Sequence, residues 1–356
     1  MKINKLISKL FIVSVLFFTS CNEDDTPQEP KGDYENGILI SGEGSGAGTG
    51  SVSFVSNDFT SSENLIYKKV NNNNEFGTYL QSVAFDNERA FVIVDAGTIT
   101  VVDRYTFVQE ATITTGLVTP RYMVIVGDKG YVTNWGSTVD ETDDFIAVVD
   151  LNTYEVEGTI AVGNGPERII EKDDVLYVSH KGAYTNNDVV SVIDISTKNV
   201  QEVTVQDNPD ELFFNSSGGL VVLSEGRTVY DSNWSVISKT SGSISTINTS
   251  TLEVDSVLSF ADGEQPSLMV LDEGTIYYEL NGGLYEMDEN ATTLAATSSF
   301  TPDGYFYGLE VRDGSIYTLD GNFSDASTLY VYDTATKEKT QTISVGIGAA
   351  KIYFNN

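Results

Sequence analysis

Short apolar runs punctuate the chain at a nearly constant interval, and six of them end in Asp or Asn. They are Val101-Val102-Asp103, Val148-Val149-Asp150, Val192-Ile193-Asp194, Thr246-Ile247-Asn248, Tyr285-Glu286-Met287-Asp288 and Val331-Tyr332-Asp333. A Thr follows three residues later at 153, 197, 251 and 336, and a degenerate copy, Phe54-Val55-Ser56, stands in front. Counted from Ser56, the anchors are 47, 47, 44, 54, 40 and 45 residues apart. A recurrence of about 40–50 residues marks a repeat architecture, and seven anchors predict seven blades. The Asp-x-x-Thr segment suits a tight turn, because both side chains bond neighbouring backbone N–H groups.

Ahead of each anchor a short turn leads into a strand that opens on an aromatic residue, as in Tyr131-Val132-Thr133-Asn134, Tyr177-Val178-Ser179-His180 and Tyr317-Thr318. A third element, Gly or Asp near Pro, introduces the innermost strand of a blade: Thr119-Pro120-Arg121, Gly165-Pro166-Glu167-Arg168, Asn208-Pro209-Asp210 and Gln265-Pro266-Ser267. Its last copy, near Gly346, leads into Lys351-Ile352-Tyr353-Phe354, an inner strand with no blade of its own. The first blade, from about Gly37, lacks an inner strand. The fold expected is therefore all-β: a seven-bladed β-propeller over 37–356, with blade one closed by an N-terminal and a C-terminal strand. Tyr131-Val132-Thr133-Asn134 matches the motif of YVTN-type propellers, found in surface-layer-like and exported bacterial proteins, and over 37–356 the chain resembles that family.

In such a ring the B–C hairpin loops and the connections between blades share one face. Here the turns of the opposite face are short throughout, whereas the B–C loops at 43–50, 135–144, 181–187, 225–242 and 321–327 are long and uneven. Irregular loops on one side of a regular scaffold are where binding resides. They carry Trp135, Tyr184, Tyr230, Trp234 and Phe323, with the lone His180 at a loop edge, while Arg121, Arg168 and Tyr305 stand at the channel mouth. Aromatic residues and arginine predominate in binding hot spots. These nine residues are the expected ligand-binding set. For any one of the aromatics, packing against its own blade is the alternative.

The N-terminus reads as an address. Lys2, Lys5 and Lys9 precede a nine-residue stretch, 10–18, that is apolar except for Ser14 and too short to span a bilayer. It ends in Phe18-Thr19-Ser20-Cys21, which resembles the lipobox of bacterial lipoproteins, although Phe18 and Thr19 depart from the commonest pattern. Residues 1–20 are thus an expected lipoprotein signal peptide, Cys21 the lipidation site, and 21–36 a tether. The acidic run Asn22-Glu23-Asp24-Asp25 resembles the surface-export signal of Bacteroidota lipoproteins. The implied location is the outer membrane, held by the lipid anchor alone and facing outward.

Composition narrows the function. A formal net charge of −32 repels phosphate backbones and excludes nucleic acid as a natural partner. With one histidine and one cysteine, no His-rich metal site exists, and neither HExxH nor GxSxG occurs. Asp140, Asp143, Asp144 and Asp188 lack the spacing of a calcium loop and read as a solvated acidic loop. No metal or cofactor is expected. Surface propeller lipoproteins of this kind resemble the accessory proteins that cap TonB-dependent outer-membrane transporters, which implies capture of a small molecule, cobalamin first and siderophore or haem second, and transfer to such a transporter. The alternatives are a structural or adhesive propeller that binds protein or glycan, and a propeller lyase or glycosidase using Asp, Tyr and Arg.

Overall fold

The computed structural model describes residues 30–45, 49–77, 79–137 and 139–356. The signal-like segment 1–20, Cys21 and the tether up to residue 29 lie outside the described residues. Seven antiparallel sheets follow one another around a central channel, so the repeat and the blade count read from the sequence hold. The inner strands are Ala349–Asn355 in blade one, Leu80–Phe85, Pro120–Val126, Pro166–Lys172, Pro209–Phe214 and Met269–Asp272 in blades two to six, and Phe306–Arg312 in blade seven.

Strand position within a blade explains the hydrophobic pattern. The second and third strands are covered on both faces by neighbouring blades, so they read as unbroken apolar runs; Ala90 to Val94 are all fully buried. Outer strands have one wet face and alternate, as in Glu155–Ala161. Apolar side chains gather into one cluster in each gap between adjacent blades, for example Phe91, Ile93 and Val101 of blade two against Met123, Val132 and Val149 of blade three. Stability is thus distributed around the ring through nearest-neighbour contacts.

The anchor turns work as expected. Asp103 Oδ1 accepts from the backbone N–H groups of Tyr105 and Thr106 and from the Thr106 hydroxyl, and Asp194 and Asp333 hold Thr197 and Thr336 in the same way. Blade one closes as the orphan strand required: Gly37–Gly42 pairs with Ser51–Ser56 on one side and with Ala349–Asn355 on the other, in a register that matches Leu39 with Tyr353. Asn355 locks the seam, donating its side-chain amide to the carbonyls of Tyr34 and Arg104. Blade six departs from the pattern. It has three strands, and the chain beyond Asp288 returns only to form a bridge between Leu284 and Phe300. No helix among the described residues is long and apolar enough to cross a membrane.

Candidate functional site

A repeated backbone irregularity builds the channel. In blade three, Pro120 pairs with Asn134 and Met123 with Val132, so Arg121 and Tyr122 both stand opposite Thr133. Blades four and five have the same bulge between Pro166 and Ile169 and between Pro209 and Leu212. An extra residue of this kind redirects side chains out of the strict alternation of a strand. The second strand stitches the bulge down: Thr133 Oγ1 accepts from Tyr122 N–H and donates to the Glu167 carbonyl, and Ser179 Oγ accepts from Arg168 N–H. Consecutive polar residues, Arg121-Tyr122, Glu167-Arg168 and Asp210-Glu211, are thereby delivered to the axis.

Along the channel these groups interlock. Arg121 grips Glu167 with two bonds, Nη2 to Oε1 at 2.9 Å and Nε to Oε2 at 3.0 Å, a fork-on-fork contact that a planar guanidinium makes well. Arg168 Nε reaches Asp210 at 2.9 Å, its Nη2 contacts Glu211, and its plane lies over Tyr122 at 4.4 Å. Lys181, from the B–C loop of blade four, bridges Asp210 and Glu225, each at 2.8 Å. Burial would raise the Asp210 carboxyl, but Lys181 and Arg168 outweigh it and hold it well below the usual carboxylate range. Burial pushes Glu225 up to about 7, against the pull of Lys181. Glu43, from the first B–C loop, is also raised by burial, lies within the fields of Lys351 and Arg121, and accepts from the Tyr307 hydroxyl at 3.1 Å.

Aromatic rings stand around this charged floor. Trp135 is stacked by Arg121 at 3.8 Å and meets Tyr184 edge-on at 5.7 Å. The two rings border a hollow of about 100 Å³ shared with Ser137, Asp140, Asn164 and Thr185. On the blade seven side Tyr305 stacks on Tyr307 at 5.7 Å, and Phe323 meets Tyr307 edge-on at 5.3 Å. Tyr184 is 56% exposed and Tyr305 63%. Their outer faces are open to solvent, the arrangement that suits a flat or apolar ligand surface.

The expected site residues divide into three groups. Trp135, Tyr184, Tyr305, Phe323 and Arg121 come together around the mouth. Tyr230 and Trp234 face each other at 6.1 Å on a separate hairpin, Thr228–Tyr230 with Val236–Lys239, that rises out of the blade five loop, and Trp234 at its tip is 82% exposed. Arg227 at the hairpin's base bonds Asn186 of the blade four loop, which ties the hairpin to the segment carrying Tyr184.

Two expectations require correction. His180 does not face a ligand: it is 0% exposed, with Nε2 2.8 Å from Ser191 Oγ and Nδ1 3.2 Å from the Asn164 carbonyl. Burial lowers its pKa to about 4, so the ring is neutral and structural. Arg168 belongs to the channel cavity, with Tyr122, Glu211 and Lys351, rather than to the aromatic rim. Glu167, Asp210, Lys181, Glu225, Glu43 and Tyr307 were not singled out from the sequence. The signal for the first two was present, since each occupies the place after Pro that Arg121 holds in blade three. In the acidic loop, Asp140 caps Thr142, Asp143 accepts from Ser137 N–H, and burial raises Asp144 to about 6.

Similarity to known structures extends over most of the ring. The dihydro-heme d1 dehydrogenase NirN in complex with DHE aligns with a TM-score of 0.57 at 13% identity, over 92% of this chain and 77% of that one. The computationally designed Ika8 protein gives 0.58 at 12% identity, over 92% and 93%. The extracellular domain of a B. thetaiotaomicron protein gives 0.61 at 13% identity, over 86% of this chain and 40% of that one. At these identities the likeness is one of fold. No curated protein matches. A family model does match residues 36–219, blades one to four and the start of blade five, and on that match the chain belongs to the family described as Domain of unknown function (DUF5074).

Proposed function

We propose that this protein is a surface-exposed binding lipoprotein, anchored through Cys21, that captures a bulky nutrient on its loop-rich face and hands it to a TonB-dependent transporter. The observation that carries the reading is the rim of Trp135, Tyr184, Tyr305, Tyr307 and Phe323 around a floor of paired charges. Exposed rings provide contact area at little entropic cost, and the fixed ion pairs orient polar groups at the edge of a ligand. The floor carries more carboxylates than cations, with Glu43, Glu167, Asp210, Glu211 and Glu225 against Arg121, Arg168 and Lys181. Such a floor favours a ligand rimmed with amide or ammonium donors and disfavours an anionic one. Cobalamin, with its peripheral amides, therefore ranks above haem or a ferric siderophore. Two fold neighbours supply background: one is described as an extracellular domain and another as a complex with DHE.

A thermal-shift panel of cobalamin, ferric siderophore, haem and common glycans tests this. A ligand at a hundred times its dissociation constant adds about 2.7 kcal/mol. Stabilisation by cobalamin that disappears in Trp135→Ala and Tyr305→Ala is the expected result. Stabilisation by a glycan alone would favour an adhesive surface protein, and silence across the panel would sink small-molecule capture.

One observation favours a second reading, a propeller lyase or glycosidase. Two buried carboxylates, Glu225 and Asp210, converge on one Lys181 at 2.8 Å each; burial raises the first, while Lys181 and Arg168 hold the second low, the kind of carboxyl pair that acid–base chemistry uses. Turnover of a polysaccharide that vanishes in Glu225→Gln would establish it.

A further inference from the structure

The channel holds a cavity of about 190 Å³, bounded by all seven inner strands or the residues leading into them. Its wall is apolar on the blade six side, with Leu268 and Val270, and carries charge from blades four, five, seven and one, with Arg168, Glu211, Glu310 and Lys351. Arg168 and Glu211 are paired with each other. The remaining two charged groups are not. Among the described residues, no hydrogen bond or salt bridge joins the Lys351 ammonium or the Glu310 carboxyl to another side chain. Lys351 feels Glu211 and Asp210, and Glu310 feels Lys351, through space without a bond between the two, an arrangement that a ligand carrying both charges would bridge.

We propose that this cavity binds a small zwitterion of the free α-amino acid class, its carboxylate on Lys351 and its ammonium on Glu310, with a short apolar side chain against Leu268 and Val270. Size, charge and polarity agree. The volume equals the liquid-phase share of about six water molecules, room for a small amino acid. The cavity wall holds two cations and two carboxylates, so a neutral ligand with separated charges preserves its balance. Without such a ligand both groups are pushed toward neutrality: burial raises Glu310 to about 7, and burial followed by the nearby Arg168 lowers Lys351. None of the rim aromatics lines this cavity, although Glu43, which accepts from Tyr307, lies within the field of Lys351.

The test is a thermal-shift and calorimetric titration of the protein with glycine, L-alanine and L-serine, alongside N-acetyl-L-alanine and L-alaninamide, which each lack one charge. The expected result is a rise in melting temperature with the free amino acids and at least about tenfold weaker binding of both blocked analogues. Lys351→Met and Glu310→Gln should each abolish the response while still melting cooperatively, and Glu155→Gln, on an exposed outer strand, should leave it intact. The proposal is overturned if no free amino acid binds, if the blocked analogues bind equally well, or if the response survives both substitutions. Should a channel variant fail to fold, the comparison of free and blocked ligands on the unaltered protein decides.

Discussion

The Arg121 guanidinium lies 3.8 Å from the centroid of the Trp135 ring while holding Glu167 in a two-bond grip. One side chain therefore fixes both an aromatic wall of the mouth and a carboxylate of its floor. Glu167 is nearly inaccessible, so removing its partner strands a buried charge. Arg121→Leu should cost about 3 kcal/mol in urea unfolding and shift the Trp135 fluorescence. The double variant Arg121→Leu/Glu167→Leu should recover much of that loss. Single and double variants of equal stability would show that the pair is not coupled.

His180 makes stability depend on acid. Its folded pKa, about 4, lies below the unfolded value near 6.5, so its contribution is complete above pH 6.5 and lost as pH falls through 6.5 to 4. The full effect is about 3 kcal/mol. Glu225 and Glu310, raised to about 7, act with the opposite sign: their share is greatest near pH 4 and is lost as pH rises to 7. Between pH 6.5 and 4.5 the unaltered protein should lose stability relative to His180→Gln, measured by denaturant titration at each pH. Parallel curves would show that burial does not perturb the ring.

Thr133 should matter more than its size suggests. Its hydroxyl serves Tyr122 N–H and the Glu167 carbonyl at once, across two blades. Thr133→Val keeps the volume and removes both bonds, with an expected cost of about 1–3 kcal/mol. If ligand binding at the mouth relies on that stitch, affinity should fall in the same variant at temperatures where it remains folded.

Much of this architecture was legible in the sequence because the repeat reports directly on the backbone. Asp103, Asp194 and Asp333 mark turns whose bonds the structure reproduces, and the uneven B–C loops lie where their lengths implied. The channel was less legible. A strand read by strict alternation sends Arg121 and Tyr122 to opposite faces, and only the bulge brings both to the axis. Taken alone, His180 at a loop edge reads as a ligand-facing residue. Aligned blade to blade it occupies the place of Asn134, whose side chain is likewise fully buried and accepts from Val118 N–H. Polar residues at that place serve the connection into the inner strand rather than a ligand.

Removing residues 349–356 should be far more damaging than losing a peripheral strand. That strand contributes Ala349 and Ile352 to the core between blades seven and one, and it supplies Ala350 and Lys351 to the channel. The truncated chain should lose cooperative melting by circular dichroism and associate on a sizing column through the exposed edge of Gly37–Gly42. A monomer with an unchanged transition would mean that the seam is dispensable.

The seam also sets the timing of folding. While the chain is being synthesised, Gly37–Gly42 emerges first and must wait for its partner until every other blade has been made. A nascent chain therefore carries an unsatisfied β-edge while the other six blades are being made, when intermolecular pairing is most hazardous. The last clasp to form is also the one that joins the two ends of the array, so unfolding from either end must first break it.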